Sequence, residues 1–335
     1  MIIDAHSHGF HGKYFDQLAD IGGDWVKKQV ATELERAKQY PQYLDVTLRV
    51  EWLNRYGIDL QVVTPSIHVD VNLFPGDAAA KLAFAKALND NMARLMEDSK
   101  GKLLAIGTIP LASFEPGGRQ EMERAIKTLG LKGMSLSSNI DGKPPDLLEF
   151  DPFWAQAAEM DIAIYIHPQN PVSQTDRSYE VDYDLTHNFG WPFETTLILS
   201  RLVFSGVMER YPALKIVSHH LGGGMIPFFW GRILETYRPS MQPRLLGRVM
   251  PKPLFDYFSR FYYDTAVGGS AAAIRCAYEV FGADRLVFAT DAPFGPEKGE
   301  SRLANYPNVI RSLGLSEAEN EKIFSGNAHK ILNLA

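Results

Sequence analysis

Eight short runs of branched and apolar residues, each separated from the next by enough chain for a helix, constrain this sequence more than any other feature. They fall at residues 1–8, 59–64, 103–111, 131–137, 162–167, 214–219, 261–264 and 285–290. Parallel strands need a crossover of a dozen or more residues between them, and intervening stretches such as the Ala-, Leu- and Met-rich 77–100 have that length and a helical period. Eight strand-and-helix units predict an α/β fold, a (β/α)₈ TIM barrel. The structural rival is an open, doubly wound sheet. No G-x-G-x-x-G follows any of the runs, so the nucleotide fingerprint that would favour the rival is missing. A chain of 335 residues accommodates such a barrel as a single domain over 1–335. Three stretches break the alternation, at about 9–45, 169–191 and 238–259, and are expected to be lid-like insertions over the carboxyl-terminal rim.

The bulk numbers exclude several function classes. With 45% hydrophobic and 22% charged residues, the chain has ample material for a core. Its net charge of −6, without any block of like charges, argues against a nucleic-acid surface or a polybasic membrane patch and leaves a small molecule as the expected partner. No stretch has the length of a membrane span, and no charged segment followed by an apolar one opens the chain. Cys276 is the single cysteine, so an internal disulfide is ruled out and a cytoplasmic location is expected. It sits in a helical pattern over 271–278, where packing explains it better than nucleophilic chemistry.

The carboxyl ends of the runs are where a barrel of this kind collects its chemistry. His6 and His8 end the first run, His167 the fifth, His219 and His220 the sixth, and Asp291 closes the eighth. Residues two apart on a strand share a face, so His6 and His8 can grip one cation together. One H-x-H is a weak signal by itself; the coincidence of polar residues at so many run ends carries the argument. Three imidazoles and a carboxylate suit Zn²⁺, with Mn²⁺ and Fe²⁺ as the alternatives, and no organic cofactor is needed. The neighbours His219 and His220 cannot both face the axis of an extended strand, so one is expected to be functional and the other structural. The glycines at 222–224 then allow a sharp turn. Asp264, ending the seventh run, is placed to support a metal ligand. Arg49 reads as a surface helix residue, and His11, His68 and His187 as exposed loop residues. Trp191, Phe193 and Phe294 could wall a conjugated substrate, although large aromatics are more often plain core.

A set of motifs makes the chain familiar: Asp4-Ala5-His6-Ser7-His8, His167-Pro168, Trp191-Pro192-Phe193-Glu194-Thr195-Thr196, Leu202-Val203-Phe204-Ser205-Gly206-Val207 with Tyr211-Pro212, His220-Leu221-Gly222-Gly223-Gly224 with Pro227-Phe228 and Gly231-Arg232, and Ala289-Thr290-Asp291. Together they resemble the amidohydrolase superfamily, in its amidohydrolase-2 branch, and within it aminocarboxymuconate semialdehyde decarboxylase and related metal-dependent decarboxylases. The resemblance implies that His6, His8, His167 and Asp291 hold the metal and that His220 is the catalytic acid/base, with Asp291 sharing proton transfer and His219 as a backing residue. It also implies that Arg232 binds a substrate carboxylate, in some relatives across a homodimer interface. The activity implied is non-oxidative decarboxylation of a small aromatic or conjugated carboxylic acid. The alternative is hydrolysis of a lactone, amide or ester by metal-bound hydroxide, since a bound cation can lower the pKa of water to about 7 and both schemes use the same residues.

Overall fold

The computed structural model describes residues 1–15, 18–21, 23–171 and 179–334. Every strand pairs parallel to its neighbours. β1 (Ile3–His8), β2 (Leu60–Thr64) and β3 (Leu103–Ala105) form one ladder; β4 (Gly107–Thr108), β5 (Gly133–Ser137), β6 (Ala163–His167), β7 (Lys215–Ser218), β8 (Tyr262–Asp264) and β9 (Leu286–Val287) form another. β3 and β4 are two halves of one barrel strand, joined through Ile106, whose amide donates to the Val63 carbonyl at 2.9 Å. This strand stops well short of residue 111. Asn89 takes over the ladder's bonds there, accepting from Thr108 N at 2.8 Å and donating to Thr108 O at 3.1 Å, and Pro110 has no amide to continue it.

The outer edges meet as well. Ala5 N donates to Phe288 O at 2.8 Å, Asp291 N to His6 O at 2.9 Å and His8 N to Ala292 O at 2.8 Å, so β1 is tied to the chain just beyond β9. An open sheet would leave both edges unpaired, whereas these bonds close the expected (β/α)₈ TIM barrel. Ala5, Val62, Ile106, Ala163, Tyr165, Val217 and Val287 fill its interior. The helix Asn327–Leu332 seals the end where the strands begin, packing Ile331 and Leu332 onto that same cluster. Ile164, Ile166 and Ile216 belong instead to the layer between strands and helices, with Trp154, Leu199 and Leu202. Burying one such side chain contributes about 1.5–3 kcal/mol, so a run that is apolar on both faces is anchored from both sides. Among the described residues, no helix is long and apolar enough to cross a membrane.

The three stretches outside the alternation take different courses. Residues 9–45 contain the 17-residue helix Gly23–Gln39, which buries Val26, Val30 and Glu33 and brings Arg36 to the rim. Of residues 169–191, 172–178 lie outside the described residues, and the remainder ends in Trp191 at the mouth. Residues 238–259 pack by the opposite end: Arg248 donates to Phe204 O at 2.9 Å, and Lys252 and Tyr257 meet Glu209 at 3.1 and 2.8 Å, just before β7 begins.

Candidate active site

β1 reaches the rim with one residue more than its neighbour. Asp4 pairs with Gln61 and Ser7 with Val63, so three steps along β1 match two along β2. A bulge of this kind re-aims side chains. Here Ala5 fills the interior while His6 and His8 turn to one another, their Nε2 atoms 3.2 Å apart. The bulge is braced from behind by buried polar groups. Asp4 accepts from Gln61 Nε2 at 2.7 Å, Thr290 Oγ1 at 2.5 Å and Thr290 N at 2.9 Å, tying β1 to the strands on both sides. Arg49 is no surface residue: it is 1% exposed and donates to Gln61 Oε1, Ser7 Oγ and His8 O, each at 2.7 Å. The sequence pattern missed this because the partners of Arg49 come from β1 and β2, outside its own helix Val46–Arg55. Gly9 makes room for it, since a Cβ there would stand 2.4 Å from Arg49 Nη1.

Four histidines at the rim, His6, His8, His167 and His220, are oriented through Nδ1. His6 Nδ1 donates to Asp264 Oδ2 at 2.8 Å, His167 Nδ1 to Pro168 O at 2.7 Å and His220 Nδ1 to Ala266 O at 2.8 Å. Thr64 Oγ1 donates its own proton to Ser7 O at 3.0 Å, so at 3.2 Å from His8 Nδ1 it accepts. In all four rings the proton sits on the outer nitrogen and the Nε2 lone pair faces inward. Asp264 stands where the sequence placed it, behind His6, and its Oδ1 also accepts from His220 N at 2.8 Å. Burial opposes charge on His6, but the bond and charge of Asp264 outweigh it and move its pKa up. Burial, with His6 beside it, pushes His8 down to about 3, and burial holds His167 well below the ordinary imidazole range.

His219 and His220 both lie against His6, although alternation along an extended strand would put them on opposite faces. His219 continues β7 in extended backbone and is fully buried, stacked on His6 with ring centroids 3.4 Å apart. His220 leaves the strand with φ +55°, a left-handed turn that swings its ring back over the rim. The extended-strand premise fails from His220 onward, since Leu221 is left-handed too, at φ +55°. Gly223, at φ +76°, completes the turn where a Cβ would lie 1.9 Å from Pro192 O.

Asp291 also has a left-handed backbone, φ +60°, and presents Oδ1 at 3.5 Å from His8 Nε2 and 3.9 Å from His6 Nε2. Burial would raise its pKa, but the guanidinium of Arg302, 2.6 Å from Oδ2, and the nearby histidines bring it below the usual carboxylate range. One ligand atom from each of His6, His220 and Asp291 lies within 4.8 Å of the other two, and the same holds for His6, His167 and His219. Lone pairs aimed at lone pairs in a buried space repel unless a cation lies among them. The donor set of imidazole nitrogens and one carboxylate oxygen fits a divalent metal ion, and the chain carries a site for one.

Above this floor lies a cavity of about 360 Å³. Trp191 and Phe294 line it, with Arg36, Tyr40, Ser66, His68, His187 and Arg302. Phe294 is 5.7 Å from the His8 ring and Trp191 6.1 Å from that of His167, measured between centroids. Arg36, to which sequence reasoning assigns no role, donates to His68 Nε2 at 2.9 Å and to Glu33 at 3.1 Å and lies 5.2 Å over the Phe294 ring. Its signal was a charged pair, Glu33 and Arg36, continuing the buried stripe of Val26 and Val30. His68 belongs to the wall rather than to an idle loop. His187 is also at the mouth, while His11 is buried elsewhere with Nε2 2.7 Å from Asp98. Phe193 is half exposed and is not part of this wall. Arg232 does not reach this cavity either. It is exposed on the helix Trp230–Thr236, beside a separate outer groove of about 900 Å³ shared with Phe193, Phe229 and Ile233.

A family model described as amidohydrolase matches residues 3–334. The chain belongs to the amidohydrolase family. This amidohydrolase is 31% identical over 291 residues to a 2-amino-3-carboxymuconate-6-semialdehyde decarboxylase of Dictyostelium discoideum, covering 87% of this chain and 77% of that one. It is 26% identical over 295 residues to a gamma-resorcylate decarboxylase of Rhizobium sp. (strain MTP-10005), covering 85% and 86%. In three dimensions it is similar to the 5-carboxyvanillate decarboxylase of Novosphingobium aromaticivorans, solved with manganese and 4-hydroxy-3-methoxy-5-nitrobenzoic acid, with a TM-score of 0.83 at 22% identity over 100% of this chain and 96% of that one. At that identity the likeness is one of fold. The branch read from the motifs is the branch these relatives occupy.

Proposed function

We propose that this amidohydrolase is a carboxy-lyase: a metal-dependent, non-oxidative decarboxylase of a small aromatic or conjugated carboxylic acid. One observation carries the reading, that a cation-seeking cluster, an arginine and two aromatic side chains line a single small cavity. The two relatives described above are decarboxylases by name. His6, His8, His167 and Asp291 would hold the ion, and zinc is our choice because imidazole nitrogens and a lone carboxylate oxygen are donors it favours. A bound divalent cation would neutralise the substrate's oxygens and draw electron density toward them.

The chain's own residues do the rest. Trp191 and Phe294 flank a planar substrate, and Arg36 provides a guanidinium for an anionic group at the far side of the pocket. Arg36 thereby takes over, within one chain, the part that resemblance assigned to Arg232. His220 exchanges protons only at Nε2, since Nδ1 is committed to Ala266 O, and it acts once Nε2 has taken up a proton from solvent. From there a proton adds to the carbon that bears the carboxylate. The bond to the carboxyl carbon then breaks, its electron pair returns to the conjugated system, and CO₂ leaves, with water neither added nor lost.

We further propose a homodimer formed through the outer groove, where Phe193, Leu197 and Phe229 are exposed beside Arg232. A cytoplasmic location is supported by the lone, partly buried Cys276. The activity is tested by incubating zinc- and manganese-loaded protein with hydroxybenzoates and muconate-like acids while following CO₂, and with lactones while following acid release. Gas from an acid substrate is the expected result; acid release from lactones without gas would replace this reading with hydrolysis.

A further inference from the structure

We propose that Arg302 is a positioning residue that restricts Asp291 to a single ligating oxygen, an inference that rests on the proposed metal role of Asp291. The guanidinium reaches the rim from the helix Glu300–Ser312, and its Nη1 is saturated by one short piece of chain. It donates to Asp291 Oδ2 at 2.6 Å, Asp291 O at 2.9 Å and Thr290 O at 3.2 Å. Bonds to both the carboxylate and the backbone of one residue fix the side-chain torsion as well as the position. Oδ2 is therefore occupied, and Oδ1 is the oxygen left facing His6 and His8.

The loop before the helix is shaped around this guanidinium. Gly295, at φ +110°, lies where a Cβ would approach Arg302 Nε to 2.4 Å, with Cδ and Cζ at 3.1 Å. Gly299, at φ +83°, lets the chain close where a Cβ would meet Pro293 O at 2.0 Å. The guanidinium is so confined that its Nε is buried without a hydrogen-bond partner. An arginine serving mainly the substrate would be expected to keep Nη1 free, as Arg302 does not. Its two sides have different tasks: Arg36 faces an incoming anion, and Arg302 faces the protein's own carboxylate. A carboxylate held to one oxygen leaves a coordination position for the substrate, which a two-oxygen grip would fill.

Cobalt(II) serves as the probe, with affinity measured by competition against a chelator, visible absorption of the loaded protein recorded, and folding checked by thermal melting. Arg302→Met should weaken Co²⁺ binding by about 10–100-fold, the usual consequence of removing a group that orients a ligand. It should also lower the visible absorption, as Oδ2 joins Oδ1 and the coordination number rises. Gly295→Ala should shift both readouts in the same direction with every charge in place, and it keeps the test decisive if Arg302→Met does not fold. Arg302→Lys should fall closer to the unmodified protein than Arg302→Met does. A folded Arg302→Met or Gly295→Ala protein with unchanged affinity and spectrum would overturn the proposal. Asp291→Asn separates the two layers: undiminished Co²⁺ binding there refutes the metal role of Asp291, whereas loss there with none in Arg302→Met refutes the positioning role alone.

Discussion

The floor and the wall of the cavity are built on different plans. Every floor histidine seen to point a lone pair inward is held by something that belongs to the barrel: Asp264 on β8, Thr64 on β2, or a backbone carbonyl at a strand's end. Wall residues, Arg302 apart, are held mainly by one another. Arg36 bonds His68 and covers Phe294, and Phe294 in turn meets Tyr40 and Tyr43 at 5.5 and 5.6 Å between centroids. The floor is therefore as rigid as the barrel, while the wall is a local cluster on a helix, a turn and a loop. Chemistry is fixed by the first, and choice of molecule by the second.

That contrast breaks most readily on the floor. His167→Ala should lose most of the bound metal by elemental analysis, because it removes one of the proposed ligands, whereas His220→Ala should keep the metal and lose about 10²–10⁴-fold in turnover. Equal metal loss in both would merge the two roles. Asp264→Asn comes next. It removes the acceptor behind His6, and metal affinity should fall by about 10–100-fold with the barrel still folded. Arg36→Met tests the wall: a charge-assisted hydrogen bond is worth about 1.5–3 kcal/mol, so kcat/KM should drop by about 10–150-fold, mainly through KM, with metal content unchanged. Metal loss in that variant would erase the distinction between floor and wall.

The smallest effect concerns acidity. Burial, helped by Arg36, holds His68 down to about 4, against 6.5 for a free imidazole. A histidine depressed on folding stabilises the native state above about pH 6.5, and the gain disappears as pH falls from there toward 4. His68→Asn should flatten the pH dependence of the unfolding midpoint across that window. An unchanged profile would remove His68 from the buried wall.

This division also explains what could be read in the sequence. Strand ends are legible, because a branched apolar run followed by His or Asp marks both the strand and the point where it opens to the rim; His6, His8, His167 and Asp291 were found that way. Groups that act through tertiary partners were not. Arg49 sits in an ordinary helical pattern, and only the approach of Gln61 and Ser7 shows that it is internal. Arg302 is separated from its partner by a loop whose meaning lies in Gly295 and Gly299. His219 and His220 were read through strand alternation, which the left-handed turn beginning at His220 sets aside. Arg232, carried over with its motif, lies beside another groove of the same chain, so its part depends on a second copy that the sequence of one chain does not place.

The central claim is that residues spread along the whole chain share one cation at the rim. Anomalous diffraction from crystals of the zinc-loaded protein, collected at the zinc edge, tests it most directly. The account predicts one strong peak about 2.0–2.2 Å from Nε2 of His6, His8 and His167 and from Oδ1 of Asp291. A peak elsewhere, or one that Asp291 does not touch, would contradict it.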